Sequence, residues 1–289
     1  MTSAPPPPAE PRSAPPGGRE GVPRWPAWAP FAAMLIAFGI ALLGVSVIAL
    51  GVEVAGAHVD AGDPPPGVTI GGTFIQDAGL IFSAVLIAWL TAGRPRPSEF
   101  GLRPVAPVRA AGWLAAVWVA FLIFSAVWAA ALNVTQSDDL PKELGAENSH
   151  TALAAVTVLV CVAAPIAEEL FFRGFCFTAL RRWLGLVPGA IITGAIFGLI
   201  HASSAAAVFL VPLAVFGIGL CVLYHRTGSL LPCMVLHAFN NALALGVTQK
   251  WGAGEIVLLM VGAAAVVLAI AAPFARGGDA GPLAPQPAG

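Results

Sequence analysis

Charged side chains are scarce in this chain. Only 10% of its 289 residues are Asp, Glu, Lys or Arg, whereas 58% are hydrophobic, and a soluble domain usually carries about 25% charged residues. Because the deficit extends over most of the chain, we interpret the bulk of it as embedded in lipid. The net charge of −1 gives no basic surface for nucleic acid, so we predict no nucleic-acid partner.

Cysteine is also scarce, and its spacing excludes two common uses. None of the four cysteines forms a C-x-x-C pair, so the sequence predicts neither a disulfide framework nor a cysteine zinc site. All four lie in apolar segments, where we expect small buried side chains: Cys161, Cys176, Cys221 and Cys233.

Hydrophobic runs fill the chain between two ends that are rich in proline or glycine. A membrane-crossing helix needs about 20 apolar residues, and the sequence predicts an all-α, polytopic membrane bundle of about eight such helices. The predicted spans are 28–50, 74–92, 110–132, 151–180, 188–203, 206–224, 229–247 and 254–273.

The same pattern divides the chain into five parts. The proline-rich stretch 1–26 cannot build a core and is predicted to be a disordered cytoplasmic tail, and 277–289 a second disordered tail. Between them we place three N-terminal helices with their loops in 27–150, a helical core in 151–250, and the last helix in 251–276.

Basic residues predict the orientation of this bundle. With the N-terminus in the cytoplasm, the inside loop 93–109 carries four arginines against one acid, Glu99, while most loop carboxylates fall outside. Short cytoplasmic loops are rich in Lys and Arg. We therefore predict a multi-pass protein of the cell membrane with both termini in the cytoplasm.

Three of the eight spans carry polar side chains that membrane helices usually exclude. A charge at the centre of a membrane helix costs about 2.5–3.5 kcal/mol on insertion scales, which makes it a functional candidate. Counted from the cytoplasmic ends at about 1.5 Å per residue, these groups lie at a common depth of about 14–20 Å, which predicts one buried polar site. They are Glu168, Glu169 and Arg173 in the fourth span, His201 in the fifth, and His237 and Asn241 in the seventh.

The spacing of these residues suggests separate roles. Glu169 and Arg173 are four apart with the acid first, the favourable order for an intrahelical ion pair. Glu168 is rotated by about 100° from Glu169, so we predict different partners for the two carboxylates and interpret Glu168 as the freer one, a general base. His237 and Asn241 share a helix face and suit an oxyanion site.

The fifth span offers a second spacing of four. Phe197 is predicted to back the imidazole of His201. Gly194 and Gly198 lie on nearly the same stripe, and small residues let another helix approach closely. We expect this approach to bring Glu168 within reach of His201.

In these residues the sequence resembles the CPBP family of intramembrane proteases, the type II CAAX prenyl endopeptidases (Rce1-like) and their bacterial Abi relatives. The composition is typical of a bacterial member, and the segments 99–103 and 227–232 also resemble the family. The three motifs follow each other in the family's order: Glu168-Glu169-x-x-x-Arg173, Phe197-x-x-x-His201 and His237-x-x-x-Asn241.

This resemblance implies an endopeptidase that hydrolyses peptide bonds of a membrane-associated protein or peptide within the bilayer, with 151–250 as its catalytic core. It implies roles for the site residues: Glu168 with His201 activates the attacking water, His237 and Asn241 stabilise the oxyanion, and Glu169 with Arg173 supports the site.

Metal dependence has two readings. Glu168, His201 and His237 would make a three-ligand zinc site with an open position for water. Asn241 and Arg173 have clearer roles in a metal-free mechanism, so we favour a glutamate-dependent peptidase that requires no cofactor, with zinc as the alternative.

Two other functions fit a polar site inside the membrane. An ion or proton transporter uses buried Glu and His, but no repeats or broken helices in matching positions are visible. A non-catalytic interaction or immunity protein would tolerate the change Glu168→Gln. The sequence favours the peptidase, with the bilayer and a membrane-associated substrate as its partners.

Overall fold

Eight helices make up the part of the chain that the structure, a computed structural model, describes: residues 25–276 without 61, 63 and 135–148. Nearly all of both predicted tails lies outside the described residues. The helices are α1 (Ala29–Val54), α2 (Pro66–Ala92), α3 (Pro107–Ala131), α4 (His150–Leu184), α5 (Leu186–Ala202), α6 (Ala207–Thr227), α7 (Leu231–Thr248) and α8 (Ala253–Arg276).

The predicted all-α membrane bundle is confirmed. Seven of the described helices are long and apolar enough to cross a membrane, and α5 is a shorter apolar helix that ends in the 3-10 turn Ile200–Ser203. The outer surface is apolar, as lipid contact requires: Leu35, Leu42 and Leu258 are each more than 70% exposed.

The second helix begins at Pro66, well before the predicted residue 74. Its first turns contain Gly71 and Gly72, which lower the apparent hydropathy of the segment. Both glycines face α1, where a Cβ on Gly71 would lie 3.0 Å from Ile48 and a Cβ on Gly72 would clash with Val45. The glycines are therefore packing residues of the α1–α2 hairpin rather than loop residues.

The glycine stripe of α5 packs against α6, the next helix along the chain. A Cβ on Gly194 would lie 2.6 Å from the carbonyl oxygen of Ala214, and one on Gly198 would lie 2.6 Å from that of Leu210. The predicted close approach is thus present, but its partner is α6 and not the glutamate-bearing α4. Gly217 on α6 completes the contact, since its own Cβ would lie 2.9 Å from the Cα atom of Gly194.

The core surrounds the middle of α4. Four phenylalanines of this helix, Phe171, Phe172, Phe175 and Phe177, are completely buried. Helices α2, α5, α6, α7 and α8 all contact α4. Any polar group on this stretch of α4 is therefore shielded from lipid on every side.

The loop before α3 closes one end of this core. Phe100 is buried, and the backbone N–H of Leu230 donates to the carbonyl of Gly101 at 2.8 Å. Trp25 falls inside the predicted 1–26 tail, yet it is buried. Its ring stacks on Phe100 with 5.2 Å between centroids, and its Nε1 donates to the carbonyl of Phe175 at 3.2 Å.

Basic side chains gather at the same end of the bundle. Arg109 at the start of α3 donates to the carbonyl of Arg226 at the end of α6, and Arg181 of α4 lies 3.1 Å from Nδ1 of His225. The structure therefore places the basic residues that follow α2, α4 and α6 at one end of the bundle, as the sequence predicts.

Candidate active site

The two glutamates of the site lie where α4 departs from regular α-helix. A π-helical stretch, Leu159–Ala163, precedes the short α-helical segment Ala164–Glu169, and a second one, Leu170–Phe177, follows it. Pro165 lies at the start of the middle segment, and its missing N–H removes one hydrogen bond from the ladder. Single π-helical turns inside α-helices are frequent at functional sites.

Arg173 and Glu169 form the predicted ion pair. Nη1 of Arg173 lies 2.8 Å from Oε1 of Glu169, and both side chains are completely buried. Nη2 donates to the carbonyl of Gly217 on α6 at 3.1 Å, and the guanidinium lies 4.5 Å from the centroid of the Phe197 ring. The cation is thus held from α4, α5 and α6 together.

His237 joins this pair from α7. Its Nδ1 lies 2.8 Å from Oε1 of Glu169, while its Nε2 lies 3.9 Å from Oε2 of Glu168. The prediction that the two carboxylates have different partners is therefore wrong. The rotation between neighbouring residues places them at different edges of one imidazole ring, and each edge carries its own nitrogen.

The hydrogen bond to Glu169 determines the tautomer of His237. A carboxylate only accepts hydrogen bonds, so Nδ1 carries a proton and donates it to Oε1. Nε2 is left facing Glu168, at a distance too long for a direct hydrogen bond. Oε2 of Glu168 is buried and has no hydrogen-bond partner within the described residues, so its lone pairs remain available to a water molecule or a substrate.

His201 lies in the 3-10 turn that ends α5 and is half-buried. Its Nδ1 donates to the carbonyl of Phe197 at 2.8 Å, which leaves Nε2 as an acceptor. The predicted backing by Phe197 is confirmed, with 5.0 Å between the ring centroids. The same Phe197 ring also packs edge-on against His237 at 5.8 Å, so one aromatic side chain positions both histidines.

The expected direct partnership of Glu168 and His201 is not formed: no hydrogen bond or ion pair joins them in the described chain. Asn241 is half-buried one turn after His237, and its Nδ2 donates to the carbonyl of Val160 at 2.8 Å. This bond ties α7 to the first π-helical stretch of α4. An amide nitrogen has two hydrogens, so one N–H of Asn241 is left for another acceptor.

Glu168, His201 and His237 are the candidate ligands of the zinc alternative. In the described ranges, no group of three His, Cys, Asp or Glu side chains is placed to hold a metal ion, so these three side chains do not converge on one point.

Asp77 on α2 is an acidic residue of this site that the sequence analysis missed. Its side chain is only 4% exposed, and its helix packs against the segment of α4 that carries Glu168. The rule that identified the other residues, an ionisable group inside an apolar run, applies to Asp77 as well. It was overlooked because it belongs to none of the spaced motifs.

Comparison with known proteins agrees with the site. A family model described as type II CAAX prenyl endopeptidase Rce1-like matches residues 150–243, and this segment contains all six predicted site residues. A search of curated proteins and a search of solved structures each gave no match. The matched segment, which begins with α4 and ends inside α7, is therefore similar to the Rce1-like type II CAAX prenyl endopeptidases.

Proposed function

We propose that this chain is an intramembrane endopeptidase that cleaves a membrane-associated protein or peptide with a water molecule activated by Glu168. One observation carries the proposal: a buried chain of contacts runs from Arg173 through Glu169 to His237 and ends beside the unpartnered oxygen of Glu168. Arg173, Glu169 and His237 each form at least one hydrogen bond, whereas Glu168 forms none among the described residues, which is the arrangement expected of supporting residues around one reactive group.

Glu168 acts first as the base. Its carboxylate takes a proton from water, and the water oxygen attacks the carbonyl carbon of the scissile peptide bond. Its buried Oε2, which has no hydrogen-bond partner among the described residues, is free to accept that proton. The same proton then passes to the amide nitrogen, the C–N bond breaks, and the products are a carboxylic acid and an amine.

His237 and Asn241 stabilise the oxyanion of the tetrahedral intermediate. As an imidazolium, His237 carries a proton on Nε2 as well as on Nδ1, and its Nε2–H then donates to the oxyanion together with the remaining N–H of Asn241. Preorganised donors of this kind are worth about 10²–10³ in kcat each. The acceptor Nε2 of His201 orients the water beside Glu168.

The proposed reaction uses no metal ion. Support comes from the placement of Glu168, His201 and His237, which form no group placed to hold a metal ion among the described residues. Both histidines are oriented by hydrogen bonds within the protein. Glu168 activates the attacking water, which is the role that a metal ion has in a metallopeptidase.

The depth of the site favours substrates that are themselves in the membrane. We propose that they reach it laterally or from the end that carries the basic loops, and that this end and both termini face the cytoplasm of a bacterial cell membrane. The family's description names prenylated CAAX substrates, and our proposal for this chain covers membrane-associated substrates in general.

A cleavage assay in detergent tests the proposal. The purified protein is incubated with a quenched fluorescent peptide library, and the assay is repeated with E168Q, with the control E255Q, and with a zinc chelator. Glu255 is an exposed glutamate on α8, so its variant should cleave like the wild type.

We expect E168Q to abolish cleavage and the chelator to leave it unchanged. Loss with the chelator and recovery with added zinc would overturn the metal-free mechanism. Equal cleavage by E168Q and wild type would overturn the role of Glu168 and favour a non-catalytic interaction protein.

A further inference from the structure

Asp77 is a third buried carboxyl group beside the catalytic pair of glutamates. It lies in the middle of α2 and is 4% exposed, and its Oδ2 is buried without a hydrogen-bond partner in the described structure. Helix α2 packs against the segment of α4 that carries Glu168, so a charge on Asp77 would repel a charge on Glu168.

In the described part of the chain, no cation is placed to compensate a charge on Asp77. The helices that pack most closely against α2 are α1 and α4. On α1 the only ionisable group is Glu53, which is exposed at the far end. The ionisable side chains of α4 are His150, Cys161, Glu168, Glu169, Arg173, Cys176, Arg181 and Arg182; of these, the one that interacts electrostatically with Asp77 is Glu168.

Among the described residues, Arg173 is the one buried arginine, and it is already committed. Arg173 is bound by Glu169, by the carbonyl of Gly217 and by the ring of Phe197. An isolated carboxylate in an apolar interior is so costly that the group keeps its proton instead. A second negative charge at Glu168 adds repulsion to that cost.

We infer that Asp77 is a positioning residue of the active site, which remains a neutral carboxylic acid beside the ionised Glu168 and inactivates the site when it loses its proton. This inference rests on the proposed function. A charged Asp77 would place a second negative charge next to the reacting water. That charge opposes the oxyanion that forms in the transition state.

Infrared titration tests the inference without any substrate. A protonated carboxyl group has a carbonyl stretching band that is distinct from those of a carboxylate. The band is followed against pH in wild type, D77N, E168Q and the control E53Q. We expect D77N to lose a band that wild type and E53Q retain at neutral pH. In E168Q the band should persist but titrate at lower pH, because the neighbouring charge is gone.

Two infrared results would overturn the inference. One is a full band in D77N, which would mean that Asp77 is ionised. The other is an identical titration midpoint in wild type and E168Q, which would mean that the two groups are not coupled.

The pH profile of peptide cleavage separates this role from a structural one. We expect kcat/KM of wild type and E53Q to fall at alkaline pH as Asp77 ionises. One pH unit above the midpoint of that fall, the fraction of maximal kcat/KM that D77N retains should be about tenfold larger than the fraction that wild type retains. Profiles of the same shape in D77N and wild type, differing only in scale, would overturn the inference. If the wild type shows no cleavage sensitive to E168Q, the proposed function has failed, and the infrared titration alone decides the state of Asp77.

Discussion

At the level of single residues, Glu169 connects the site. Its Oε1 accepts from Nη1 of Arg173 and from Nδ1 of His237, each at 2.8 Å. The sequence spacing predicts the first contact, because both residues lie on one helix. The second contact joins residues 68 positions apart and depends on how α7 packs against α4. Glu169 therefore neutralises the arginine and orients the histidine at the same time.

The change Glu169→Gln should impair catalysis more than substrate binding. The glutamine side chain keeps the size but loses the charge, so the hydrogen bonds that orient His237 and hold Arg173 become weaker. We expect kcat to fall by about 10²–10⁴, the range for a general acid–base group, with KM changed little. Steady-state cleavage kinetics measure both values. A rise in KM at unchanged kcat would contradict this role.

The change Arg173→Met should unfold the core rather than only slow the reaction. Removing one partner of a buried ion pair leaves an uncompensated charge and costs about 3–5 kcal/mol. Arg94, an exposed arginine of the loop before α3, provides the control R94M. Thermal unfolding in lipid nanodiscs compares the variants, and equal stability of R173M and R94M would argue against a buried charge pair.

The double variant E169Q/R173M isolates the cause of that loss. Because it removes both charges, it should recover much of the stability that R173M loses. If it is no more stable than R173M, then packing of the long arginine side chain, rather than charge, explains the destabilisation.

At the level of helices, the glycine contact between α5 and α6 positions His201. Gly194 and Gly198 bring the two backbones together, and His201 follows one turn later in the chain. Gly217 of α6 contributes to the same contact and offers its carbonyl to Arg173. Packing of this helix pair and the geometry of the site are therefore linked.

The change Gly198→Ala should separate these helices. The new Cβ would lie 2.6 Å from the carbonyl oxygen of Leu210, and overpacking of this kind costs about 1–3 kcal/mol. Cleavage should fall as well, because His201 moves with the end of α5. Gly39 on α1 is the matched control, since a Cβ there meets no atom within 4 Å. G39A should be at least as stable as wild type, and an equal loss in both variants would contradict the packing argument.

At the level of the whole molecule, the short helix α5 determines the topology. It has fewer residues than the seven long spans. If it crosses the membrane, the number of crossings is even and both termini lie on one side. The basic residues of the loops after α2, α4 and α6 meet at one end of the bundle, as that arrangement requires.

Cysteine labelling tests this topology, because all four native cysteines are buried. Arg94→Cys and Arg276→Cys should be protected from a membrane-impermeant maleimide in intact cells, and Val54→Cys should react. All three positions are exposed in the structure. Labelling of Arg276→Cys in intact cells would mean that the number of crossings is odd and that α5 does not span the bilayer.

The sequence alone determined the helical membrane fold, since long apolar runs such as 28–50 have no other way to satisfy their backbone groups in lipid. It also predicts most of the candidate site residues, because charges such as Glu168 are costly in apolar helices. Their contacts were decided by tertiary packing. Only the approach of α7 to α4 places His237 between two carboxylates, and only the approach of α2 adds Asp77. The glycine stripe of α5 could have packed against any neighbouring helix. Spacing along one helix determines which side chains share a face, but which face meets which neighbour depends on the arrangement of all eight helices.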